Sequence, residues 1–107
     1  MTVSSLIGHG FNSVTLPDGE RKINGVYIGD LLSWVMSSAE ADNAWITIMS
    51  NINVIAVASL TDDSCVILAE GVTLEEDVIK EAENKGVNIL SVTKSAYETA
   101  LALSEIL

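Results

Sequence analysis

The chain has 107 residues, with five basic side chains against fifteen acidic ones and a formal net charge of -10. That length suits a single domain over residues 1–107 with a core of its own. A surface so acidic repels phosphate backbones and anionic membranes, which removes nucleic acid and membrane from the expected partners. The lone cysteine, Cys65, lies inside the apolar run CVIL and reads as a buried structural thiol, with no intramolecular disulfide available to it. Residues 1–10, MTVSSLIGHG, hold no basic region and no long apolar stretch. No window approaches about 18 uninterrupted apolar residues, so the expectation is a cytoplasmic chain without signal peptide or membrane span.

Residues 3–7 suit a short helix stopped by Gly8 and Gly10. Extended segments at 13–16 and 22–28 flank Pro17-Asp18-Gly19, where proline sets the turn and glycine supplies positive φ, so a hairpin-like reversal is expected. A helix over 30–39 follows, with Asp30 placed to cap it. Residues 44–49 form a strand, 53–60 a helix, and 65–69 the next strand. Thr73 and Glu76 suit a capping box for a helix ended by Gly86, and Glu76–Lys80 and Glu81–Lys85 add favourable charge pairs. A last strand at 87–90 leads to a helix capped by Ser95 and Glu98. Apolar runs alternating with helices specify βαβ units. The expected fold is α/β, a three-layer domain with a mostly parallel central sheet and an N-terminal antiparallel element at one edge.

Apolar residues make up 49% of the chain, and the mean hydropathy is +0.40. A domain this small buries only about two-thirds of the surface its chain could expose. Some apolar material is therefore expected outside the monomer's core, at an interface. Two helices carry the excess. Leu31, Leu32, Trp34, Val35 and Met36 cover roughly 200° of a helical wheel, and residues 54–60 leave almost no polar side. A helix apolar all round needs cover on more than one face. The reading is a homodimer whose interface includes Leu31, Trp34, Val35, Val54, Val57 and Leu60. The alternative is that the N-terminal segment folds over these helices.

Ligands of open parallel sheets gather beyond the carboxyl ends of the strands. Those ends are Gly29 and Asp30; Ser50, Asn51 and Asn53; Glu70 and Gly71; and Ser91, Thr93 and Lys94. Ser50-Asn51 also opens a helix, whose free N–H groups can hold an anion. These residues, Lys94 apart, form the candidate ligand site. The competing reading makes Asp30, Ser50 and Thr73 helix caps and the glycines turn residues. Catalytic templates fit poorly. His9 is the only histidine and sits in a glycine-flanked loop, where a catalytic base would lack rigid support. No metal-ligand spacing, phosphate loop or dinucleotide turn is present, so no metal, no cofactor and no enzyme activity are expected.

With this order of elements, the chain resembles the DRTGG domain family over about residues 20–105. GVYIGDLLSWVM at 25–36, AWITIMSNINVIAVASL at 44–60 and VILAEG at 66–71 carry the resemblance. It is most similar to single-domain members found in anaerobic, hydrogenase-associated settings. Related domains stand beside CBS domains in regulated pyrophosphatases, and a similar fold forms the N-terminal domain of HPr kinase/phosphorylase. The resemblance implies a regulatory or assembly role with self-association and a regulatory protein partner. Many relatives carry an Asp-Arg pair and a further Asp at the strand-to-helix turn, where this chain has Ser50, Asn51 and Asn53. Losing the arginine removes the group best suited to bind a phosphate. The leading expectation is a non-catalytic regulatory or interaction module acting as a homodimer. The alternative is a small-molecule sensor, of an adenine nucleotide for instance, binding at the strand ends.

Overall fold

The computed structural model describes all of residues 1–107. A short 3-10 helix, Ser4–His9, leads into β1 (Asn12–Thr15) and β2 (Val26–Ile28). From there helices and strands alternate: α1 (Leu32–Ser38), β3 (Ala44–Thr47), α2 (Asn53–Thr61), β4 (Cys65–Leu68), α3 (Glu76–Lys85), β5 (Ile89–Ser91) and α4 (Ala96–Ile106). The five strands form one sheet in the order β1-β5-β4-β3-β2. The run from β2 to β5 is parallel throughout, and β1 is antiparallel to β5.

The strands are apolar on both faces because both faces are covered. Trp45, Val66, Leu68 and Ile89 project into a core shared with Val35 of α1, with Val54, Ile55, Val57 and Ala58 of α2, and with Val78 and Ala82 of α3. Ala44, Ile46, Cys65, Ile67 and Leu90 project the other way, onto Val3, Leu6, Phe11 and Leu103. The expected three-layer, mostly parallel α/β architecture is what the chain forms. The N-terminal segment covers the α4 face rather than α1 and α2.

The hairpin expected at Pro17–Gly19 does not form. The chain does turn there, with Arg21 N–H donating to Asp18 O, but its two arms run to opposite edges of the sheet. The antiparallel edge comes instead from β1 pairing with β5, Asn12 opposite Ser91. Asp30 does not cap α1, whose N-cap is Leu31. Thr73 does not cap α3, which starts from Glu75 with no side-chain cap bond. The Ser95–Glu98 capping box on α4 is formed in both directions. The 3-10 helix runs through Gly8 and ends at Gly10, whose φ of 90° suits glycine alone.

The largest correction concerns α2. It is the middle helix of its layer, packed between α1 and α3 and onto the sheet. Neighbours on three sides explain its nearly uniform apolar character without a second copy of the chain. Val54 and Val57, and Val35 on α1, are buried within the monomer and offer no interface.

Candidate functional site

Four parallel strands end along one edge, and the structure places the sequence-predicted residues there with different duties. The Gly29 carbonyl accepts a hydrogen bond from Trp45 Nε1 at 2.8 Å. Asp30 accepts from Thr47 Oγ1 at 2.8 Å and from the Ile48 N–H at 3.0 Å. It is a strut that ties the β2–α1 connection to the end of β3. Glu70 and Gly71 are left-handed, with φ of 61° and 71°. Their N–H groups donate to Lys94 O at 2.8 Å and Val92 O at 2.9 Å, so the turn after β4 is held against the segment that follows β5. Ser91 lies within β5, and Thr93 is exposed beyond it. Asn53 starts α2 and gives its N–H to Asn51 Oδ1 at 2.9 Å.

Of the nine predicted ligand residues, only Ser50 and Asn51 line the cleft that the fold opens at this edge. It lies between the N-termini of α2 and α3, has a volume of about 550 Å³, and is completed by Ile52, Thr73, Leu74, Glu75, Asp77 and Val78. Sequence reading missed those six because strand ends point to loops, whereas the second wall is the first turn of α3. The LEED run at 74–77 was the available signal. No basic side chain lines the cleft. Two helix N-termini bring partial positive charge, but Glu75 and Asp77 already stand against it. This wall favours neutral hydrogen-bonding groups over phosphates.

At the opposite end of the sheet lies a polar cluster drawn from loops far apart in the chain. Arg21 bridges Asp42 and Asp62, with both Nη2–Oδ1 distances at 2.8 Å. Ser64 Oγ donates to the carbonyls of Lys22 and Asp42, and Asn88 Nδ2 donates to Asp18 O and Ser64 O. Asp63 is the exception, since both of its carboxylate oxygens are buried without a hydrogen-bond partner. Its pKa is pushed up to about 7, chiefly by burial and further by the charge of Asp62, against the opposing pull of Thr61 and Arg21. Beside it, burial pushes the Cys65 thiol up to about 12, leaving it unreactive.

Three apolar side chains of the α1–α2 layer are exposed. Leu31 is 61% exposed, Trp34 65% and Leu60 73%. Leu31 is the N-cap residue of α1 and Trp34 lies in its first turn. These are the predicted interface residues that remain on the surface. His9 is exposed on the 3-10 helix. No three His, Cys, Asp or Glu side chains converge to hold a metal ion, and no helix is long and apolar enough to cross a membrane.

A mostly parallel sheet covered on both faces, with a polar cleft at its carboxyl edge, defines a small open-sheet α/β module. The chain belongs to the DRTGG domain family, whose model matches residues 18–106. The match takes in β2 through α4 and leaves β1 outside it. Among solved structures, the chain is similar to the CBS and DRTGG domains of the regulatory region of Clostridium perfringens pyrophosphatase, crystallised with its activator diadenosine tetraphosphate. The TM-score is 0.72 at 10% identity, over 94% of this chain and 44% of that one. This chain thus spans less than half of that regulatory region. No curated protein matches the sequence.

Proposed function

We propose that this domain is a non-catalytic, cytoplasmic regulatory module that works as a homodimer and passes its state to a regulatory protein partner. The observation that carries the reading is the exposure of Leu31, Trp34 and Leu60 on a chain with a net charge of -10. Charge repulsion between copies opposes indiscriminate association, so attraction must come from an uncharged patch. A two-fold arrangement uses the same patch on both copies. Burying the exposed part of six such side chains contributes about 6–12 kcal/mol. That is comparable to the 4–15 kcal/mol lost in translational and rotational freedom on association. The patch therefore supports a dimer in the micromolar range once further contacts join it.

Sedimentation at low and at high micromolar concentration tests this. Wild-type protein is expected to move to twice its 11.4 kDa mass as concentration rises. Trp34→Asp is expected to remain monomeric with an unchanged far-UV spectrum. A wild-type monomer at high micromolar concentration refutes the reading.

A second reading is a small-molecule sensor, supported by the cleft at Ser50 and Asn51. The similar regulatory region was crystallised with a dinucleotide activator, which makes adenine nucleotides the first ligands to try. With Glu75 and Asp77 on the wall, recognition would fall on the base and sugar, through the Ser50, Asn51 and Thr73 side chains. Calorimetric titration with AMP and with diadenosine tetraphosphate decides it. A binding heat abolished by Asn51→Ala supports the sensor, and silence with both ligands removes it.

A further inference from the structure

The outer edge of β2 has no neighbour in the sheet. The Ala44 N–H donates to Gly25 O at 3.0 Å, and the Gly29 N–H donates to Ile46 O at 3.2 Å. Backbone groups alternate along a strand. Gly25, Tyr27 and Gly29 therefore turn theirs toward β3, while Val26 and Ile28 turn theirs outward. The outward-turned residues are also apolar and uncovered, Val26 37% and Ile28 49% exposed. Edge strands are usually blunted by lysine, proline, a bulge or polar side chains. The other edge of this sheet obeys that rule: β1 exposes Asn12 and Ser13, and its register slips between Ser13 and Thr15. β2, which reads Val-Tyr-Ile, is blunted only by its shortness, at three residues, and carries no lysine, proline or bulge. On the face that Tyr27 packs against, α1 is the outermost helix, so Leu31 and Trp34 stand in the layer beside this same edge.

We propose that β2 of one copy pairs antiparallel with β2 of a second copy about a two-fold axis through Tyr27, joining two five-stranded sheets into one of ten strands. This rests on the homodimer reading and specifies its geometry. The register is set by the free groups. Centring on Tyr27 places Val26 opposite Ile28 of the partner subunit. These are the residues whose N–H and C=O groups point outward, so each pair exchanges two hydrogen bonds and the axis generates four. The same centring places the two Asp30 carboxylates at opposite ends of the ribbon, roughly 20 Å apart at about 3.4 Å per residue. Each then stands opposite Asn24 of the partner subunit, so no like charges meet. Three layers of contact result: α1 side chains on one face, the backbone ladder in the middle, and the Val26 and Ile28 side chains on the other face. The paired edge supplies the contacts that the apolar patch alone lacks.

Backbone chemistry tests it. Ile28→Pro removes one outward N–H per copy and leaves the ladder to β3 intact, since proline is tolerated at an edge when its nitrogen faces away. The variant is expected to raise the dimer dissociation constant by at least about tenfold, whereas Ile28→Val remains dimeric. In the wild type, hydrogen exchange followed by NMR should show the Val26 and Ile28 amides protected at high protein concentration and unprotected on dilution. That measurement stands even if Ile28→Pro fails to fold. A dimer whose Val26 and Ile28 amides exchange freely overturns the edge pairing and leaves the homodimer standing. A wild-type monomer at high micromolar concentration overturns both.

Discussion

Replacing Asp63 by asparagine should change how stability depends on pH. The carboxyl of Asp63 is buried with both oxygens unpartnered, and its pKa is pushed from 3.8 up to about 7. Between those values the folded chain holds a proton that the unfolded chain has released. Stability therefore falls as pH rises from about 4 to about 7, and the full penalty remains above that. Three pH units at about 1.4 kcal/mol each set a ceiling near 4 kcal/mol. Asp63 lies in a loop cluster only partly shielded from water, and that residual solvation reduces the effect to about 2 kcal/mol. Asp63→Asn keeps the shape and removes the ionisation. Urea denaturation of both proteins at one fixed protein concentration, from pH 5 to pH 8, isolates the effect because every other titrating group is shared. The wild type should lose about 1–2 kcal/mol relative to the variant over that range, equivalent to several degrees in melting temperature for a domain of this size. A difference between the two proteins that stays constant across the range would refute the assignment of an uncompensated buried carboxyl.

Val57→Asp places a charge among fully packed neighbours in the α2 core and should abolish cooperative unfolding by circular dichroism, in contrast to the exposed Trp34→Asp. Ser95→Ala removes the capping box that opens α4 and should cost about 1 kcal/mol in urea denaturation. Gly25→Ala should cost about 1–3 kcal/mol in the same assay, because Gly25 sits at φ 94° and an added Cβ would lie 2.9 Å from Asn43 Nδ2.

What could be read from the sequence was what local chemistry decides. Apolar runs such as CVIL become strands because both sheet faces need filling, and Ser95 with Glu98 closes its capping box within one turn. Parallel direction followed from the helices between strands. What stayed hidden depends on partners distant in the chain. β1 finds β5 across the whole domain, so nothing near Pro17 reveals that its two arms part company. Asp30 has the composition of a cap, yet its carboxylate is claimed by Thr47 and Ile48 on the neighbouring strand. The α2 sequence cannot distinguish a middle helix from one covered by another molecule, since burial looks alike from either side. At the cleft, Ser50 and Asn51 were legible as strand-end residues. The opposing wall, from Thr73 to Val78, required knowing that α3 begins beside α2. The Arg21–Asp42–Asp62 cluster joins three separate loops, which no spacing rule connects.

The pairing of β1 with β5 also sets an order of events. During synthesis the chain emerges from its amino end, and β2 through β4 with their helices can dock as each arrives, because every parallel neighbour follows its predecessor directly. Asn12 must wait for Ser91. The first strand made is therefore the last one able to join the sheet, and until then the inner edge of β4 has no partner. A nascent chain stalled before residue 89 would present that edge, the backbone groups of Val66 and Leu68, to whatever lies nearby, another growing chain or a chaperone.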